Sequence, residues 1–189
     1  MGVTCVIIRA ADATLDELVA TPRKVWSFES PDRQRPPRKP SFLGRLLGQV
    51  ATPDPICSAS RQPGDTLDLD KAWDGIDFLL SNGKKDAGIC RLLTMKSVEI
   101  HEEIGYGKPR VFHARQVQEF NSFLETVSAE ALQQRYDPQE MTRANLYPKG
   151  IWNSWDRDEA LDYVTAHYTA LQSFIRETAQ LNQGVIVLL

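Results

Sequence analysis

Cysteine and histidine are scarce in this sequence, with three of each among 189 residues. Cys5, Cys57 and Cys90 are far apart, and they form neither a CxxC pair nor a cysteine–histidine zinc pattern. Unclustered cysteines in odd number are typical of free thiols in a reducing compartment rather than of a disulfide framework. We therefore expect a cytoplasmic protein without a structural metal.

Long apolar runs are also missing. The longest, "VIVLL" at 185–189, is far shorter than a membrane-spanning helix requires. The opening "MGVTCVIIRA" has no basic segment ahead of its apolar run, so we expect no secretion signal. These two features predict a protein without a membrane partner.

Positive charge is not in excess, because 22 Lys and Arg residues face 25 Asp and Glu residues, for a net charge of −3. Nucleic-acid binding draws much of its affinity from neutralised phosphates, so it needs a basic surface that this balance does not favour. We predict no nucleic-acid partner.

Basic residues and prolines concentrate at about 31–65, where seven of the eleven prolines occur. Proline removes an amide donor and fixes φ, so regular helix or sheet cannot continue through this stretch. The sequence therefore predicts a Pro/Arg-rich loop insertion. It is either a solvated surface loop or a basic arm that engages an acidic partner.

Signatures of catalysis are missing as well. No G-x-S-x-G element occurs, and His101-Glu102-Glu103 is not an H-E-x-x-H zinc motif because residue 105 is glycine. The loop "GYGKPR" at 105–110 matches neither a Walker loop nor G-x-G-x-x-G. We predict no catalytic residue, no metal site and no cofactor.

Apolar periodicity gives the fold class. Runs rich in β-branched residues near both ends, "TCVIIRA" and "VIVLL", are typical of buried strands, and helical spacing dominates between them. Residues 1–189 are therefore predicted to form a single compact α+β domain, with a small mixed or antiparallel sheet and several packed helices.

A stripe of aspartates marks one predicted helix, "DLDKAWDGIDFLL" at 68–80, with Asp68 as its N-cap. Asp70, Asp74 and Asp77 recur at helical spacing beside the apolar face. Such carboxylates bind a cation, contact basic groups of a partner, or remain solvated. We predict a solvated face that is available to a partner.

Two loops carry aromatic residues beside glycine. In "GYGKPR", Tyr106, Lys108 and Arg110 are either presented by a structural turn or arranged around an anion, and we favour the turn. In "YPKGIWNSW" at 147–155, Trp152 and Trp155 are residue types that dominate interface hot spots, although core anchors have the same composition.

Several segments together resemble a bacterial family of unknown function, the DUF1877 or YfbM-like proteins. The resemblance rests on "MGVTCVIIR", "LDLDKAWDGIDFLL", "EEIGYGKPRVF", "RYDPQEM", "LYPKGIW" and "GVIVLL". Members often carry histidine where Asp74 and Asp77 stand here. The family implies an α+β fold without an established reaction, and some proteins of this kind resemble immunity partners of interbacterial toxins.

Two functions from different classes follow. The first is a non-enzymatic protein-binding module, similar to an immunity protein or antitoxin, that uses the aspartates, the 105–110 loop and the tryptophans against another protein. The alternative is a small enzyme or ligand-binding protein with a pocket between "GYGKPR", His101, Glu102 and the aspartate face. We favour the first, because no reaction-specific motif is present.

Overall fold

A computed structural model of the chain describes residues 2–29, 55–59, 61–62, 64–83 and 97–189. Cys90 and most of the predicted insertion at 31–65 lie outside the described residues.

The described strands form one sheet in which every neighbouring pair is antiparallel and the order is β2-β1-β5-β4-β3. The strands are β1 (Val6–Ala10), β2 (Thr66–Asp68), β3 (Val98–Glu99), β4 (Arg110–Phe112) and β5 (Gly184–Leu188). The two predicted terminal strands, β1 and β5, are therefore neighbours. Every residue of β5 is buried, as expected for a central strand with both faces covered.

Seven α-helices and a short 3-10 turn, Pro22–Lys24, are present in the described part of the chain. The helices are α1 (Asp12–Ala20), α2 (Val25–Glu29), α3 (Trp73–Leu80), α4 (Ala114–Leu124), α5 (Ala129–Gln134), α6 (Pro138–Arg143) and α7 (Arg157–Gln180). None of these helices has an apolar stretch long enough to cross a membrane.

The helices cover both faces of the sheet. Successive side chains of a strand point to opposite faces, so β5 contributes apolar residues to a core on each side. Val185 and Val187 of β5 belong to the larger core, which contains buried residues of α3 to α7. Ile186 and Leu188 face the smaller core, which contains buried residues of α1 and α2. This single mixed unit confirms the predicted α+β class and identifies its sheet as antiparallel.

Helix α3 begins four residues later than predicted. Asp68 is not its N-cap: the Asp68 carboxylate accepts a hydrogen bond from the Asp70 amide at 2.7 Å, and Asp70 has a left-handed φ of 44°. Aspartate side chains form such local bonds in competition with helix. The helix therefore starts at Trp73, and Asp70 lies in the turn that precedes it.

Candidate functional site

The three predicted aspartates do not form one solvated face, and this part of the prediction is wrong. Asp77 is buried, with 6% of its surface exposed. The Asp74 carboxylate accepts a hydrogen bond from the Tyr147 amide at 2.7 Å, which joins α3 to the 147–155 loop. The helical spacing is correct for α3, but other segments of the chain cover the face that the aspartate pattern predicted to be solvent-exposed.

The tryptophans of the 147–155 loop have different environments. Trp152 is 1% exposed, and its indole nitrogen donates a hydrogen bond to the Leu146 carbonyl at 3.3 Å. A Cβ on Gly75 of α3 would lie only 2.8 Å from the ring, so the glycine makes room for this indole. Trp152 is therefore a core anchor and not an exposed partner contact, whereas Trp155 is half-buried.

Trp155 and the underlying Trp152 line two cavities. We call the first the Asp70 cavity; it has a volume of about 420 Å³ and is also lined by Asp70, Lys71, Pro148, Ile151, Ser154 and Tyr163. We call the second the arginine cavity; it has a volume of about 610 Å³ and is also lined by Pro138, Gln139, Thr142, Arg143, Asn153 and Arg157. Trp155 thus separates two depressions with different charged residues.

Polar contacts fix the geometry of the Asp70 cavity. The Tyr163 hydroxyl donates to Asp70 Oδ2 at 2.8 Å and accepts from the Lys71 amide at 3.1 Å. Burial, together with the hydrogen bond to the Asp70 carboxylate, raises the pKa of Tyr163 to about 12. The phenol therefore remains a hydrogen-bond donor at neutral pH.

Aromatic contacts extend from this cavity along α7. The rings of Trp155 and Tyr163 have centroids 5.1 Å apart, and those of Tyr163 and His167 are 4.4 Å apart. His167 Nδ1 lies 2.8 Å from the Tyr163 carbonyl oxygen, and Trp155 Nε1 donates to Glu159 at 3.3 Å. The cavity-lining rings of Trp155 and Tyr163 therefore contact each other, and Tyr163 also contacts His167.

The arginine cavity is basic. Arg143 of α6 forms an exposed ion pair with Glu140 one helical turn earlier. Arg157 is exposed in the first turn of α7, and no described residue forms an ion pair with it. Among the described residues that line this cavity none is acidic, so their charge is opposite to that of the Asp70 carboxylate.

The 105–110 loop forms a turn between β3 and β4. Gly105 has φ of 65°, the Tyr106 amide donates to the Leu189 carbonyl at 2.6 Å, and the Tyr106 side chain is 60% exposed. Lys108 Nζ lies 3.9 Å from Glu99, and Arg110 is opposite Glu99 in the register of β3 and β4. The backbone thus matches the structural turn that the sequence favoured.

The 105–110 loop lies away from the strand that leads into Asp70. Strand β2, which leads into Asp70, is separated from β4 by β1 and β5, a distance of about 14 Å at ordinary strand spacing. Neither the Asp70 cavity nor the arginine cavity includes any residue of 101–110. Glu102 instead accepts a hydrogen bond from the Trp26 indole at 3.0 Å, and His101 is exposed.

The two described thiols, Cys5 and Cys57, are free and buried. Burial raises the pKa of Cys5 to about 12, and burial also raises the pKa of Cys57. His113, which precedes α4, contacts Asp16 through Nε2 at 2.9 Å. Among the described residues, no three His, Cys, Asp or Glu side chains are grouped as metal ligands would be.

Sequence reasoning missed Tyr163, Arg143 and Arg157. Tyr163 is 93 residues from its hydrogen-bond partner Asp70, so no local pattern could join them. The nearest signal is the Tyr163–His167 spacing of one helical turn, which is also typical of ordinary packing. Arg143 is the last residue of α6 and Arg157 the first residue of α7, and neither belongs to a recognised motif.

Comparisons with known proteins agree with this architecture. The crystal structure of YfbM from Escherichia coli, a protein of unknown function, has a TM-score of 0.58 to this chain, with 13% sequence identity over 98% of both chains. At that identity the likeness shows the fold alone. No curated protein matches the sequence. The model of the DUF1877 family, described as a domain of unknown function, matches residues 1–188, and this chain belongs to that family.

Proposed function

We propose that this chain is a non-enzymatic protein-binding module, in the manner of an immunity protein or antitoxin that neutralises a toxin. The observation that carries the proposal is the position of Trp155, which is half-buried between the Asp70 cavity and the arginine cavity. A tryptophan flanked by concave surfaces is typical of an interface anchor. The Asp70 carboxylate on one side and Arg143 with Arg157 on the other would orient a partner that carries the complementary charges.

The chemistry of the nearby groups supports binding rather than catalysis. Burial and the Asp70 hydrogen bond raise the pKa of Tyr163 to about 12, so at neutral pH the phenol stays protonated and donates to Asp70. The Cys5 thiol is buried and has a pKa of about 12, which keeps it from serving as a nucleophile. The polar groups around Asp70 are instead bonded to one another, as a rigid recognition surface requires.

The experiment is affinity capture with the tagged full-length chain from its source cells, followed by reconstitution with the purified candidate. We expect one stoichiometric protein partner, whose binding is lost in Trp155→Ala. Tyr106→Ala is the matched comparison, because it removes an aromatic ring that is exposed on a different loop. For the immunity role, expression of the partner alone should arrest growth, and co-expression of this chain should restore it.

Three results would refute this proposal. If the folded Trp155→Ala variant still bound the partner, Trp155 would not be the interface anchor. Loss of the partner in Tyr106→Ala but not in Trp155→Ala would move the interface to the 105–110 turn, together with Lys108 and Arg110. If no protein partner co-purified with the chain, the proposal that it is a protein-binding module would be wrong. Circular dichroism and thermal unfolding of each variant show that the comparison is made on folded protein.

A second function, small-ligand binding, is favoured by the volumes of the two cavities. Both volumes, about 420 and 610 Å³, lie within the range that small-molecule sites occupy. Native mass spectrometry of the purified chain tests this alternative directly. A bound molecule that is retained by the wild type and lost in Trp155→Ala, in the absence of a protein partner, would establish it.

A further inference from the structure

The Asp70 cavity combines one carboxylate with aromatic rings, and this chemistry selects cations. Trp155 and Tyr163 line the cavity together with Asp70, and their ring centroids are 5.1 Å apart. The faces of such rings carry negative electrostatic potential, which attracts ammonium and guanidinium groups.

We propose that the Asp70 cavity is a subsite for the side chain of an arginine or lysine of the protein partner, which pairs with Asp70 and stacks against Trp155. This inference rests on the proposed function, because it names the chemistry of the partner residue that enters beside the Trp155 anchor. Arginine suits the site particularly well, since a planar guanidinium both stacks on a ring and bonds to a carboxylate.

The orientation of the carboxylate supports this assignment. Asp70 Oδ2 is held by the Tyr163 hydroxyl at 2.8 Å, and that hydroxyl is itself held by the Lys71 amide at 3.1 Å. Asp70 Oδ1 accepts no hydrogen bond from any described residue, and Asp70 lines the cavity. A cation therefore meets an acceptor that is already oriented, so little conformational freedom is lost on binding.

The nearest internal cation does not occupy this position. Lys71 also lines the cavity, but its side chain runs along Gly2: a Cβ built on Gly2 would lie 2.7 Å from Lys71 Cε and 3.4 Å from Nζ. Within the described residues, no ion pair joins Lys71 to Asp70. Lys71 thus weakens the local negative charge without filling the subsite.

The test uses the full-length chain and two probes, Nα-acetyl-arginine methylamide and its neutral analogue Nα-acetyl-citrulline methylamide. Binding is followed at low salt through the indole NH resonances. We expect the arginine probe to bind saturably with a dissociation constant on the order of millimolar, and the citrulline probe to bind about tenfold more weakly. The indole NH of Trp155 should shift most, because this ring lines the cavity.

Asp70→Asn is the decisive variant. Asparagine tolerates the left-handed φ of residue 70 and still offers Tyr163 an acceptor, so the variant removes the charge while keeping the turn. We expect a loss of arginine-probe affinity of about tenfold. Asp158→Asn is the matched control, because it removes one exposed negative charge of α7 that does not line the cavity. This control should leave probe affinity unchanged.

Any of three outcomes overturns the subsite: no saturable binding of the arginine probe, equal affinity for both probes, or an equal loss in Asp158→Asn and Asp70→Asn. These outcomes are independent of the capture experiment. If the probes fail while the partner still depends on Trp155, only the subsite is wrong. If the arginine probe binds but no protein partner exists, the side-chain assignment and the binding module both fail, and the cavity takes a free organic cation instead.

Discussion

The 105–110 loop and the 147–155 loop have nearly the same ingredients and opposite roles. "GYGKPR" and "YPKGIW" each combine glycine, tyrosine, lysine and proline. The first is a turn between the edge strand β3 and its neighbour β4, and it leaves Tyr106 60% exposed. The second loop buries Trp152 and brings Trp155 to the wall between two cavities.

The difference lies in what each loop packs against. Beneath the second loop, Gly75 of α3 leaves space for the Trp152 ring, and the Asp74 carboxylate holds the Tyr147 amide. The first loop is held through its backbone, by the bond from the Tyr106 amide to the Leu189 carbonyl. Similar composition therefore predicts a turn in both places, but the neighbouring element decides whether that turn builds a site.

The largest expected difference between the loops comes from removing one aromatic ring from each. Trp152→Ala should destabilise the protein by about 3–5 kcal/mol, because it empties a fully buried position and removes the indole hydrogen bond. Tyr106→Ala should change the free energy of unfolding by less than about 0.5 kcal/mol. Urea unfolding of both variants measures the contrast, and equal losses would show that the loops are not distinct.

A smaller effect is expected from glycine substitutions within the first loop. Gly105 has φ of 65°, and a Cβ there would overlap the Leu189 carbonyl oxygen. Gly105→Ala should therefore cost about 1–2 kcal/mol. A Cβ on Gly107 would meet no atom within 4 Å, so Gly107→Ala is the matched control and should be nearly neutral. A similar loss in both variants would refute the role assigned to the contact with Leu189.

The smallest effect concerns the cavity beside the second loop. Because the folded-state pKa of Tyr163 is raised from 10.0 to about 12, the folded protein keeps the phenol protonated where the unfolded chain ionises it. The stability contributed by this group is fully present below pH 10 and is lost as pH rises toward 12. Urea unfolding between these values should show a shallower decline in Tyr163→Phe than in the wild type. Parallel curves would show that Tyr163 does not titrate as its contacts require.

Much of the fold could be predicted because its signals are local. Ser128, Asp137 and Asp156 each accept hydrogen bonds from the first amides of α5, α6 and α7, as expected of N-cap residues. The central position of β5 follows the same logic, since an unbroken apolar run is typical of a strand buried on both faces. The predicted start of α3 was wrong because the Asp68 carboxylate accepts a hydrogen bond from the Asp70 amide in a turn that precedes the helix.

The candidate site could be predicted only in part, because its contacts join distant segments. The sequence marked Asp70, Trp152 and Trp155, but it could not tell which tryptophan is buried, since that depends on Gly75 of another element. It also treated Asp70 as one of three equivalent carboxylates. The hydrogen bond from Tyr163 gives Asp70 a separate role, and α7 supplies that tyrosine from 93 residues away.

The central position of β5 has a consequence for the order of folding. The sheet has two parts, β2 with β1 and β4 with β3, and β5 is the strand that joins them. Val6 must therefore wait for Leu188 to emerge during synthesis before the pair can form. Such long-range pairing is intrinsically slow. The native sheet is consequently completed only after residues 184–188 have been synthesised, because β1 and β4 both pair with β5.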